Sequence, residues 1–93
     1  MRIELIVPGQ PLPKERPYVT RRGTFNRPKT EEWERFIGWA CREAYQGEPL
    51  PGDLSARLIF QRKGKKRADI DNLVKPVLDG ARGILFEDDA QIL

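Results

Sequence analysis

From residue 2 to residue 7 apolar and polar positions alternate, with Ile3, Leu5 and Val7 on one face, and this predicts an N-terminal strand. Residues 8–30 keep no period and are rich in Pro, Gly, Arg and Lys, which predicts a loop long for so small a chain. A helical spacing then sets in at Trp33, Phe36, Ile37, Ala40, Cys41 and Ala44. Thr30 reads as its N-cap, with Glu31 and Glu32 at the positive end of the helix dipole, and Gly47, Pro49 and Pro51 end it. Leu54, Ala56, Leu58 and Phe60 alternate with Ser55, Arg57, Ile59 and Gln61 as a second strand. Leu73, Val77, Leu78, Ala81 and Ile84 mark a second helix over residues 72–83. Pro76 is tolerated only near a first turn, which places the start no earlier than about Asn72. Residues 85–93 read as a last extended segment. The order β-α-β-α-β predicts a small α+β domain over residues 1–93, with a mixed sheet and two helices.

Composition narrows the chemistry. The 93 residues include one cysteine and no histidine. This excludes an internal disulfide, Ser-His-Asp and Cys-His nucleophile systems, histidine bases and His-ligated zinc. Cys41 lies on the apolar stripe of the first helix and reads as a small buried hydrophobe. No run approaches the ~20 apolar residues of a membrane span. A lone thiol without a signal peptide fits a reducing, cytosolic setting. Any catalysis falls to carboxylates, lysine and an oxygen-ligated metal.

The net charge of +3 conceals a split: residues 1–68 carry +7 and residues 69–93 carry −4. A basic body with an acidic corner suits a polyanion and a cation bound at the corner. The loop over residues 8–30 carries Lys14, Arg16, Arg21, Arg22, Arg27 and Lys29, with Tyr18 and Phe25 between them. Basic side chains interleaved with aromatics suit a phosphate backbone with occasional base stacking. Arg62, Lys63, Lys65, Lys66 and Arg67 put five positive charges in six residues, a second candidate nucleic-acid contact. Solvated surface charge is the plain alternative for both.

Asp69 and Asp71, two apart in an extended segment, project from one face, where two carboxylates can bridge a hard cation such as Mg²⁺. Lys75 follows Asp71 by one helical turn and Asp79 follows Lys75 by another. A lysine there can hold a phosphate or offset a developing negative charge. Asp88 and Asp89 form a second acidic element, and spacing alone does not decide which joins the first pair. An EF-hand loop fails, because Leu73 interrupts the alternate oxygens and no terminal Glu follows at the right offset. An aspartate N-cap explains Asp71 but neither Asp69 nor the distal pair.

The stretch from Asp69 through Asp-Asn-Leu-Val-Lys to Asp79, followed by Phe-Glu-Asp-Asp-Ala-Gln-Ile ending at Ile92, resembles the signature of the RusA-type Holliday junction resolvases. That pattern is D-[IL]-D-N-L-x-K, a helix aspartate, then D-D-x-x-[IV]. Pro11 to Pro17 also resembles the P-x-x-K-x-R-P stretch of phage-type members. The resemblance implies a Mg²⁺-dependent, homodimeric endodeoxyribonuclease, bacterial or phage-encoded, that cuts four-way junction DNA symmetrically in recombination and repair. It places the catalytic and metal-binding aspartates on Asp69, Asp71 and Asp89, and the important lysine on Lys75. Two features depart from the pattern. Members continue beyond the D-D-x-x-I segment, so the C-terminal strands are expected to be truncated here, and Tyr18 stands where phage-type members often carry a basic residue. Two other readings compete: a non-catalytic junction-binding remnant with an incomplete active site, and a metal-dependent nuclease acting on flaps or single strands.

Overall fold

Two proline positions shape the helices. Pro28 opens α1 (Pro28–Ala44), where its missing N–H costs nothing and its fixed φ suits a first turn. The helix therefore starts at Pro28, with Arg27 as N-cap, and Thr30 is a buried residue of its first turn instead of the cap the spacing predicts. The structure, a computed structural model, describes residues 1–14, 18–25, 27–63 and 70–93. α2 (Ile70–Ala81) contains Pro76 in its interior. It begins and ends earlier than the expected 72–83, because the cost of an internal proline is met elsewhere. The carbonyl of Asn72, which a residue 76 N–H would have bonded, accepts the backbone N–H of Lys14 at 2.8 Å. Pro76 itself is fully buried.

The α+β class and the two helices are as expected; the strands lie elsewhere. Among the described residues the ladder is a hairpin, β1 (Tyr18–Thr20) antiparallel to β2 (Gly23–Phe25), inside the stretch that lacks a period. Residues 2–7 and 54–61, expected as strands, form no ladder. Ile3, Leu5 and Val7 are nonetheless half-buried between exposed neighbours. Alternation records which face is covered, and here Leu5 and Val7 lie against the helical core without strand pairing. Isolated parallel bridges join Leu50 to Phe86 and Leu54 to Ile92.

The core gathers Ile37, Cys41, Ala81 and Phe86, with Trp33, Val77, Leu78, Ile84 and Ile92 packed around them. Residues 85–93 are not one extended segment. Gly83, with φ of 83°, turns the chain directly after α2, and its N–H bonds the Phe86 carbonyl at 2.7 Å. A short 3-10 helix, Asp89–Gln91, follows.

The helices cross at two glycines. A β-carbon on Gly80 would lie 2.6 Å from the Glu34 carbonyl and 3.0 Å from Ile37 Cβ, and one on Gly38 would lie 3.2 Å from the Gly80 carbonyl. Gly80→Ala gains about 1 kcal/mol of helix propensity but drives a methyl into backbone, an overpacking worth ~1–3 kcal/mol. The clash should win, lowering the melting temperature by roughly 5–10 °C in a thermal unfolding scan; an unchanged or higher value would refute the close crossing.

Candidate nucleic-acid and metal-binding site

Asp71 stands in the first turn of α2, exposed, and Lys75 follows one turn later, also exposed. Neither side chain makes a hydrogen bond or ion pair among the described residues. Both point to solvent because the opposite face, through Leu73, Pro76, Gly80 and Ala81, is the one α2 buries. Asp69 lies outside the described residues, as do Arg16, Lys65, Lys66 and Arg67. Among the described residues no group of three His, Cys, Asp or Glu side chains that could hold a metal occurs; the expected set of Asp69, Asp71 and Asp89 reaches beyond those residues at Asp69.

The distal aspartates differ in what they do. Asp88 caps the 3-10 helix: its carboxylate accepts the Ala90 N–H at 2.9 Å. That hydrogen bond, then one with Asp89 and the nearby Arg82 guanidinium, holds Asp88 below the ordinary aspartate range. Gln91 completes a capping box that the spacing did not reveal, although Asp88-x-x-Gln91 is its usual signature. The Gln91 carbonyl oxygen accepts the Glu87 and Asp88 N–H groups at 3.0 and 3.1 Å. Its amide donates to the Leu50 and Gly52 carbonyls, both at 2.8 Å. One side chain thus pins the Asp88–Asp89 turn to residues 50–52. Asp88 is committed to the cap, and Asp89 is exposed beside it.

The expected DNA contacts divide in the same way. Arg21 and Arg22 form the exposed turn of the hairpin, held by the Arg22 N–H on Thr20 Oγ1 at 3.1 Å. Arg27 lies over the Tyr18 ring, 5.1 Å from its centre, and Lys63 is exposed. Arg62 is half-buried, and its Nε is buried without a hydrogen-bond partner among the described residues. Lys14 faces inward: its ammonium lies 2.7 Å from Asp79 Oδ2 and 3.6 Å from Glu34 Oε1, with 18% of its side chain exposed. Its charge is engaged inside the protein, where it ties the N-terminal segment to both helices.

Burial works against the charge on Lys14, but the hydrogen bond and charge of Asp79, with those of Glu34, outweigh it and hold the ammonium above its ordinary value. Burial also raises Glu34, and Asp79 adds to this while Lys14 opposes it.

These features define a class: a small α+β domain that exposes an aspartate and a lysine along one helix stripe and carries a basic, aromatic hairpin. Within it the chain has a family. Residues 8–93 match the family model described as Endodeoxyribonuclease RusA, and the chain belongs to that family. It is also similar to the crossover junction endodeoxyribonuclease RusA of Aquifex aeolicus (strain VF5), 29% identical over 79 residues. That match covers 83% of this chain and 63% of the relative, so the chain spans under two thirds of the relative's length. No solved structure matches it. Among the described residues no helix is long and apolar enough to cross a membrane.

Lys14→Met should destabilise by ~1.5–3 kcal/mol, since it removes a charged hydrogen bond and leaves two carboxylates facing each other. The folded value of Lys14 is raised, so its stabilisation is full below the ordinary lysine value of 10.5 and fades as pH rises through the higher folded value. Chemical denaturation from pH 8 to 12 should show this alkaline decline in the parent and a flatter profile in Lys14→Met. Matching profiles would show that the pairing of Lys14 with Asp79 and Glu34 does not stabilise the fold.

Proposed function

We propose that the chain is a Holliday junction endodeoxyribonuclease: it binds four-way junction DNA and cuts it in paired, symmetric nicks as a homodimer in the presence of Mg²⁺. Membership of the family over residues 8–93 carries this reading, supported by the exposure of Asp71 and Lys75 on one stripe of α2.

The donor chemistry fits the metal. Carboxylate oxygens are the ligands a hard cation takes, and the chain has no histidine to favour a softer one. Asp69, Asp71 and Asp89 would hold the ion. When bound, Mg²⁺ supplies Lewis-acid polarisation of the scissile phosphate and an activated water. Lys75 places its ammonium one turn from Asp71, where it binds a phosphate oxygen and offsets charge that builds during cleavage. Asp88 and Gln91 are positioning residues: the cap and the amide hydrogen bonds of Gln91 fix the turn from which Asp89 projects. Arg21, Arg22, Arg27, Arg62 and Lys63 contribute the phosphate contacts, together with Arg16, Lys65, Lys66 and Arg67. In a homodimer, twofold symmetry gives each subunit one strand to nick. The basic body of the chain, at +7 over residues 1–68, suits the polyanion.

A labelled four-way junction with Mg²⁺, and with linear duplex as control, is the direct test. Asp71→Asn and Asp89→Asn should each lower cleavage by at least ~100-fold while junction binding persists, and chelation of the metal should do the same to the parent. Asp88→Ser, which keeps a capping oxygen, should cleave at near parental rate. If Asp88→Ser were dead and Asp89→Asn active, the two roles would be reversed; cleavage undiminished in Asp71→Asn would remove α2 from the active site.

A further inference from the structure

The hairpin carries two aromatic rings that lie outside the helical core. Tyr18 and Phe25 face each other across β1 and β2, their ring centres 5.8 Å apart and tilted by 31°. They remain 37% and 42% exposed, and all six strand residues are exposed. A cross-strand aromatic pair contributes only ~0.2–1 kcal/mol, and a lone two-stranded ribbon is marginal in water. Internal stability therefore accounts poorly for two large rings left more than a third exposed.

Their surroundings select a partner. From Tyr18 to Lys29 the sequence holds Arg21, Arg22, Arg27 and Lys29 and no acidic residue. The two turn arginines crown the ribbon, and Arg27 covers one face of Tyr18. A two-stranded ribbon is of a size to enter a DNA groove. Within a continuous duplex, however, a protein meets only base edges. Base faces are open to an aromatic ring only where stacking is interrupted. Rings beneath arginines thus fit a place where phosphates converge and stacking breaks, which is the branch point of a DNA junction.

We infer that the β1–β2 hairpin is a branch-point probe, in which Tyr18 and Phe25 stack on bases unstacked at the crossover and Arg21 and Arg22 hold the converging phosphates. This rests on the junction-DNA reading above and adds the element that tells a junction from a duplex.

The test compares affinities of the full chain for a four-way junction and for a linear duplex of the same arm sequence, each across a salt series. The double variant Y18V/F25V keeps strand-forming residues and removes both rings. It should weaken junction binding about tenfold, leave duplex binding within about twofold, and preserve both salt slopes. Tyr18→Phe keeps the ring and should retain parental selectivity. R21A/R22A should instead weaken both DNAs and flatten both salt slopes, by roughly 0.9 for each phosphate no longer neutralised. Equal losses on junction and duplex for Y18V/F25V, or no loss on the junction, would overturn the proposal. So would a parent chain that self-associates without DNA in a manner abolished by Y18V/F25V, because the rings would then serve a second copy. Cleavage of the same junction with Mg²⁺ scores the nuclease reading separately. Selective binding without cleavage leaves the probe standing and removes the nuclease, whereas cleavage with unchanged selectivity in Y18V/F25V removes the probe alone.

Discussion

Where α1 crosses α2, the Glu34 carbonyl sits where a side chain on residue 80 would begin, so the approach exists only because that residue is glycine. The closeness has an electrostatic consequence. It brings the carboxylates of Glu34 and Asp79 to the same ammonium, and burial there pushes the Glu34 carboxyl up. Two carboxylates so placed need a cation between them. Lys14 supplies it from a segment distant in sequence, and its backbone N–H takes the one carbonyl that Pro76 leaves free in α2. Packing, charge and backbone hydrogen bonding are therefore met by one residue. The N-terminal segment is held against α2 because the helix crossing requires something there.

The direction in which α2 presents its stripe follows from this crossing. Asp71, Lys75 and Asp79 lie at successive i, i+4 positions. At the third of them the stripe meets Lys14 and Glu34; at the first two it faces solvent. The same row thus begins as available chemistry and ends as structural ion pairing. The acidic turn at residues 88–91 shows a similar division within two neighbouring residues, since the cap engages Asp88 and Gln91 anchors the turn to residues 50–52.

Which parts of this were legible in the sequence follows from how each feature is encoded. The helices were legible because 3.6-residue spacing is a local signal, and Ile37, Cys41, Leu73 and Ala81 are buried as the spacing predicts, whereas Phe36 and Ala44 of the first helix's stripe are exposed. Pro76 misled the placement of α2 because the partner of the freed carbonyl lies 58 residues away in sequence, where no local rule finds it. Residues 2–7 alternate because one side is covered, and alternation cannot say whether a sheet or a helix does the covering; in residues 54–61 the alternation has no such counterpart, since Ala56 and Leu58 are exposed along with their neighbours. The hairpin was missed for the opposite reason: all its residues are exposed, so no apolar period marks it. The acidic motif was readable as chemistry, but the commitment of Asp88 to a cap depends on a local geometry that Gln91 completes.

Exposure also separates what the chain can vary from what it must keep. Its small core depends on two glycines and one lysine, and each sits where substitution meets backbone or leaves a charge unpaired. The hairpin lies at the other extreme, with every strand side chain exposed and its turn closed by local bonds among Thr20, Arg22 and Gly23. Changes there alter the character of the surface while the helix crossing is untouched. A domain of this size gains from such a division, because about 1–2 kcal/mol is a sizeable part of its stability. Recognition placed on an element outside the core can be altered without drawing on that margin, whereas recognition built from the crossing itself could not.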